Sequence, residues 1–123
     1  MTKQELLQRT KSYALRVIKV VQALPRNDVA TVLGKQLLRA GTSVGANYRA
    51  ACRGRSVADF IGKLKIVEEE ADESLYWMEL LVESSILPQR RLAALMGEGD
   101  EIVSIVVASI KTMRTAIGPN RNP

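Results

Sequence analysis

Apolar residues recur along this chain every three to four positions. The recurrence breaks at three short polar stretches, which divides 123 residues into four helical segments. The first is predicted from about Lys3 to Leu24, with Leu6, Thr10, Tyr13, Val17, Val21 and Leu24 on one face. Thr2 and Glu5 have the spacing of a capping box, and Pro25, which cannot continue a helix, closes the segment. The second is predicted over Asp28–Cys52, capped by Asn27 or Asp28. The third is predicted from Val57 to about Ser85, behind the turn Arg53-Gly54-Arg55, in which Gly54 serves as helix terminator. Ser56 and Asp59 form its capping box, and its core stripe is Phe60, Leu64, Val67, Ala71, Leu75, Met78 and Val82. The fourth follows Pro88 and runs to about Ala116. Gly97 and Gly99 interrupt its composition but not its phase, since the apolar positions from Leu92 to Met113 keep one register across them, so one helix is predicted there, bent or loosened at the glycines. Short connections between long helices make neighbours antiparallel. The predicted fold is all-α, an antiparallel up-and-down four-helix bundle over residues 1–117, with 118–123 a flexible tail.

The second segment resolves into three strips. Leu33, Leu37, Ala40, Val44, Tyr48 and Ala51 form an oily side. Lys35, Arg39, Arg49 and Arg53 fall within roughly 80° of arc on the opposite side. Gly34, Leu38, Gly41, Gly45 and Cys52 make a narrow third strip. Glycine inside a helix costs roughly 1 kcal/mol against alanine, so three on one strip predict another backbone passing close by. The third segment also carries more than one strip. Ile66, Tyr76, Trp77 and Leu80 lie away from its core stripe, beside Glu69 and Glu73, and a second apolar strip calls for a second packing partner. We therefore expect Ile66, Glu69, Glu73, Tyr76, Trp77 and Leu80 at an interface between copies. Ser43 and Asn47, one turn apart on the flank of the second segment, are expected to form a buried polar bridge between helices.

Composition narrows the picture. Hydrophobic residues are 46% of the chain and aromatics only 4%, which suits interdigitating helices better than sheets. The net charge is +5, but it is polarised: thirteen basic and three acidic residues precede Ile66, and five basic and ten acidic follow Lys65. Such a chain can hold an anionic partner with one half, or a copy of itself by attraction of opposite halves. The single cysteine, Cys52, excludes an internal disulfide. With no signal-peptide pattern at the start, a cytoplasmic location is expected, and no apolar run is long enough to suggest a membrane partner.

The chemistry-bearing residues point away from catalysis. Histidine is absent, and the carboxylates crowd the third segment, whereas a bundle-core metal centre needs inward carboxylates from several helices with histidine at E-x-x-H spacing. No metal or other cofactor is expected. Ser43 and Cys52 lack an evident base, so neither is expected to act as a nucleophile and no small-molecule substrate is predicted. The basic strip of the second segment, with Arg55 beyond it and Lys3, Lys11, Arg16 and Lys19 on the first, has the character of a surface that tracks phosphates. Thr42 and Ala46 between the cations are small enough to let a backbone approach. No helix-turn-helix, zinc finger or RNA-stacking aromatic pair is visible, which argues against base-specific readout.

The run from Arg39 to Phe60, R-A-G-T-S-V-G-A-N-Y-R-A-A-C-R-G-R-S-x-x-D-F, is followed by K-x-x-I-V-E-E-E-A-D-E-S-L-Y-W-M-E-L-L. Together they resemble the four-helix bundle proteins related to those encoded by intervening sequences of bacterial 23S ribosomal RNA genes, the S23 family. The resemblance extends from about Lys11 to Arg114, with Ser43, Asn47, Arg55, Ser56, Asp59 and Phe60 matching together. Arg49-Ala50-Ala51 departs from the A-E-G that many members carry, and the glycine pair Gly97 and Gly99 is unusual for the fourth helix. The resemblance implies a bundle that assembles as a ring, commonly a pentamer, and a nucleic-acid-associated role. The combined expectation is a non-enzymatic homo-oligomer that binds RNA or DNA non-specifically through Lys35, Arg39, Arg49, Arg53 and Arg55. The competing expectation is a protein-interaction scaffold whose basic face meets acidic surfaces of neighbouring subunits.

Overall fold

The computed structural model describes residues 1–117, so the tail expected at 118–123 lies outside the described residues. It contains four helices: α1 (Lys3–Gln22), α2 (Asp28–Cys52), α3 (Val57–Glu83) and α4 (Gln89–Ile117). The capping box at the start of α1 is complete, with the Thr2 hydroxyl accepting from the Glu5 N–H and the Glu5 carboxylate accepting from the Thr2 N–H. Asn27 rather than Asp28 caps α2, its side-chain oxygen accepting from the Ala30 N–H at 2.9 Å.

Two helix ends fall short of the sequence-based bounds. α1 stops at Gln22, before Leu24, because a proline disfavours helical conformation in the residue preceding it. α3 stops at Glu83 rather than Ser85. There Ser85 takes a left-handed conformation (φ 63°), and the N–H groups of Ser85 and Ile86 turn back to the carbonyls of Val82 and Leu81. That pair of bonds is a Schellman closure with serine at the position glycine usually holds. The box at the start of α3 is only half formed. Ser56 accepts from the Asp59 N–H, but the Asp59 carboxylate accepts from the Arg55 N–H (3.4 Å) instead of from Ser56. Gly54, just past the end of α2, contributes room, since a Cβ there would lie 3.1 Å from the Ala51 carbonyl oxygen.

Consecutive helices pack on one another, and α1 meets α4 more thinly to close the square. The contacts run in opposite senses along adjacent helices. Gly34, Gly41 and Gly45 of α2 face Leu24, Val17 and Thr10 of α1 in that order, which is the antiparallel register of an up-and-down bundle. The core is aliphatic, with Leu37, Leu64, Met78, Leu81, Leu92 and Ile102 fully enclosed. Val21, Leu24, Leu33, Phe60 and Val82, predicted on core stripes, are only partly buried and pack against its edge.

The core holds one polar crossing. The Tyr13 hydroxyl of α1 meets the Ser74 hydroxyl of α3 at 2.7 Å across the diagonal of the bundle, and Ser74 lies 2.7 Å from the Ala71 carbonyl oxygen, to which it donates. Burial pushes the Tyr13 phenol up to about 12, so it stays protonated and able to donate. Gly99 of α4 is what admits this ring: a Cβ there would stand 2.8 Å from the Tyr13 hydroxyl and 2.8 Å from Leu75. A Cβ at Gly97 would meet only open space, and α4 runs through both glycines as one helix.

Candidate nucleic-acid interface

The glycine strip of α2 is turned toward α1. A Cβ at Gly41 would lie 2.8 Å from both Val17 γ-methyls, one at Gly34 would lie 2.8 Å from Leu24 Cδ1, and one at Gly45 would lie 3.2 Å from the Thr10 carbonyl oxygen. Only Gly45 therefore meets a backbone; the other two make room for side chains. One end of the α1–α2 seam opens on its outer side into a groove of about 530 Å³. Lys11 of α1 and Arg49 and Arg53 of α2 stand on its walls, Gln4 and Gln8 add amides, and Ala14, Gly45 and Ala46 form the floor. No carboxylate lines it, and none of its three cations enters an ion pair among the described residues. The Thr42 hydroxyl, also at the groove, is spent on the Leu38 carbonyl oxygen at 2.7 Å, so the donors that face outward are cations and amides.

The five cations predicted as phosphate contacts are thus not one cluster. Arg49 and Arg53 join Lys11 in the groove. Lys35 lies farther along the same seam, in a second recess of about 270 Å³ that it shares with Arg26. Arg55 sits in the exposed turn, where its backbone N–H serves Asp59. Arg39 leaves the set altogether. It reaches α3, where its guanidinium bonds Glu70 at 2.8 Å and also Glu73. The two carboxylates hold Arg39 more firmly protonated than a free arginine.

Glu73 accepts as well from the Trp77 indole N–H at 3.0 Å, and the Tyr76 and Trp77 rings meet edge to face at 5.1 Å. The expected interface strip is open to solvent in one chain: Tyr76 is 52% exposed and Ile66 and Glu69 are exposed, while Glu73, Trp77 and Leu80 are half-buried. The antiparallel register that sets Arg39 against Glu70 and Glu73 sets Val32, two turns earlier on α2, at the level of Trp77 and Leu80. Val32, 59% exposed, extends the apolar strip onto α2.

Ser43 and Asn47 do not bridge helices. The Ser43 hydroxyl donates to the Arg39 carbonyl and the Asn47 amide to the Ser43 carbonyl, both within α2. Side chains of this type bond back to the carbonyl four residues earlier in preference to crossing a gap. Besides the Arg39 pairs with α3, two polar links between helices are ones the sequence pattern hid: Tyr13–Ser74, and Arg9 of α1, whose guanidinium grips both oxygens of Glu98 on α4 at 2.7 and 2.9 Å. A serine in the middle of the α3 core stripe was the available signal for the first. Among the described residues no group of three or more potential ligands converges to hold a metal, and no helix is long and apolar enough to cross a membrane.

Comparison with known proteins agrees with this architecture. A family model described as 23S rRNA-intervening sequence protein matches residues 2–108. Among solved structures, the chain is similar to the crystal structure of a protein of unknown function from the S23 ribosomal protein family of Bacteroides thetaiotaomicron VPI-5482. The two share 33% identity over 90% of this chain and 99% of that one, with a TM-score of 0.84. No functionally curated protein matches the chain.

Proposed function

This chain belongs to the 23S rRNA-intervening sequence protein family, and we propose that it is a non-enzymatic cytoplasmic bundle that self-associates and binds RNA or DNA non-specifically through the α1–α2 seam. The observation that carries this reading is the groove of Lys11, Arg49 and Arg53, three exposed cations that form no ion pair with a carboxylate among the described residues. Cations held apart from acids release counterions when they meet phosphates, and that release supplies most of non-specific affinity. The groove has no aromatic residue on which a base could stack, which fits binding without sequence preference. A ring of copies, the pentamer that the family resemblance implies, repeats the groove and adds avidity.

Self-association is assigned to the strip of Ile66, Tyr76, Trp77 and Leu80 with Val32, beside the acidic Glu69. Tyr76 is its most exposed aromatic and the natural anchor. The scaffold reading has an observation of its own. Arg39 already shows that cations of α2 pair with carboxylates of α3 within a chain, and the same chemistry between copies would consume Arg49 and Arg53.

One experiment separates the two. Binding of a fluorescent mixed-sequence RNA or DNA is measured against salt for the wild type and for Arg49→Ala with Arg53→Ala, alongside light-scattering mass. Binding that weakens with salt and with the double substitution, at unchanged mass, supports the nucleic-acid reading. Loss of assembly in the double variant favours the scaffold. A monomer mass for the wild type at micromolar concentration rejects self-association.

A further inference from the structure

The two basic recesses lie on one seam. Arg53, the residue that caps the end of α2, lies eighteen positions beyond Lys35, hence about 27 Å along the helix axis. Both recesses are bounded by α1 on one side and α2 on the other, and both are lined without a carboxylate. Leu38, partly exposed, belongs to the second recess, and Leu15, 54% exposed, lies on α1 within the span between the two. They follow one another along the seam, with Ala14 and Thr42 at the near end of the first and Val21 and Leu38 at the near end of the second. A recess set in the seam of helices whose axes stand about 8–10 Å apart has room for one backbone. A duplex carries its phosphates on a convex cylinder, with grooves about 12 and 6 Å wide between strands, and would touch the rim cations without reaching the floor.

We infer that the α1–α2 seam is a track for a single nucleic-acid strand, held by its phosphates at two points, Lys11/Arg49/Arg53 at one end and Arg26/Lys35 at the other. This rests on the nucleic-acid reading above and sharpens it in two ways. The ligand is single-stranded, and it must be long enough to reach both points. Phosphates advance about 3.4 Å per nucleotide in a helically stacked strand and roughly twice that in an extended one, so the span corresponds to about four to eight nucleotides. The strand is held without base recognition, because neither recess contains an aromatic residue.

The test uses the full chain and three mixed-sequence probes: single strands of about two and about twelve nucleotides, and the duplex of the longer one. The longer strand binds about 10²-fold more tightly than the shorter, since its second contact is intramolecular. Arg26→Ala with Lys35→Ala, both exposed positions, removes most of that advantage and lowers the salt slope for the long strand by about 1.4, at about 0.7 per phosphate contact. Ala46→Leu, an exposed floor position where leucine suits a helix, weakens the single strand and spares the duplex. Equal affinity for both strand lengths, or a long strand indifferent to the Arg26/Lys35 pair, overturns the track while leaving non-specific binding at the groove standing. A duplex that binds as tightly as the strand and loses as much to Ala46→Leu overturns the single-strand assignment. No binding of any probe at low salt overturns both this inference and the reading beneath it.

Discussion

Arg39 and Arg49 are the same residue type on the same helix, about 80° apart around its axis, and their surroundings are opposite. Arg39 leans toward α3 and is held by Glu70 and Glu73; Arg49 leans toward α1 and faces a groove with no acid in it. The difference comes from the flanks of α2 rather than from the arginines. The flank toward α1 is glycine, filled by Val17, Leu24 and the backbone at Thr10. The flank toward α3 carries Arg39, Ser43 and Asn47, which spend their polar groups on carboxylates or on their own helix. A charge near a helix seam is free or consumed according to what the next helix presents, and the halves of this chain differ in sign.

The sharpest way to break the contrast is to fill the glycine flank. Gly41→Leu forces side-chain atoms into space already held by both Val17 γ-methyls, and Val17 is β-branched and fully buried, so it cannot turn away. We expect a loss of about 3 kcal/mol in chemical denaturation, at the upper end of ordinary overpacking. Asn47→Ala on the other flank changes stability by less than about 0.5 kcal/mol, since it removes only a bond within α2 and improves helix propensity. Equal costs at the two positions would show that the flanks are packed alike. Between these lies Ser74→Ala, which leaves the enclosed Tyr13 hydroxyl without its partner and costs about 1–2 kcal/mol. Tyr13→Phe together with Ser74→Ala recovers part of that loss, because the orphaned group is gone.

Much of this contrast is written in the sequence, and the rest is hidden for identifiable reasons. Helical periodicity places the bounds of α2 at Asp28 and Cys52, and it separates the oily, basic and glycine strips that the bundle uses. It also places Arg39 and Arg49 at opposite edges of the basic arc. What periodicity lacks is the identity of the neighbour on each edge, so a single basic face was the natural expectation. Arg9 and Glu98 are 89 positions apart, and only the packing of α1 on α4 brings them together. Ser43 and Asn47 differ from the expected bridge because a polar side chain beside a seam can bond along its own helix as well as across. The strip around Tyr76 was legible as apolar and outward, but its continuation into Val32 needed the register of α2 against α3.

A finer test compares the two arginines directly. Arg39→Ala lowers the thermal midpoint slightly, by an amount that shrinks in high salt, because the pair it breaks is solvent-exposed. Arg49→Ala leaves the midpoint where it was and shows its effect only in nucleic-acid binding. A midpoint that falls equally for both would mean that Arg49 has an acidic partner too.

The smallest expected effect is also the most local. Glu73 is held below the ordinary carboxylate range, first by the Trp77 indole N–H and then by Arg39. A carboxyl whose folded pKa is depressed stabilises the fold at pH above its unfolded value, and that contribution fades as pH falls through the unfolded value toward the lower folded one. Trp77 is the single tryptophan of the chain, so its emission reports on this carboxyl without interference from another indole. Acid titration of the folded protein is expected to show a change in Trp77 emission with a midpoint below the usual glutamate value. Arg39→Ala moves the midpoint up without abolishing the change, since the indole bond remains, whereas Arg49→Ala leaves it in place. A midpoint indifferent to Arg39→Ala would mean that the guanidinium does not hold Glu73 in solution, and the cation on the α3 side of α2 would then be as free as the one on the α1 side.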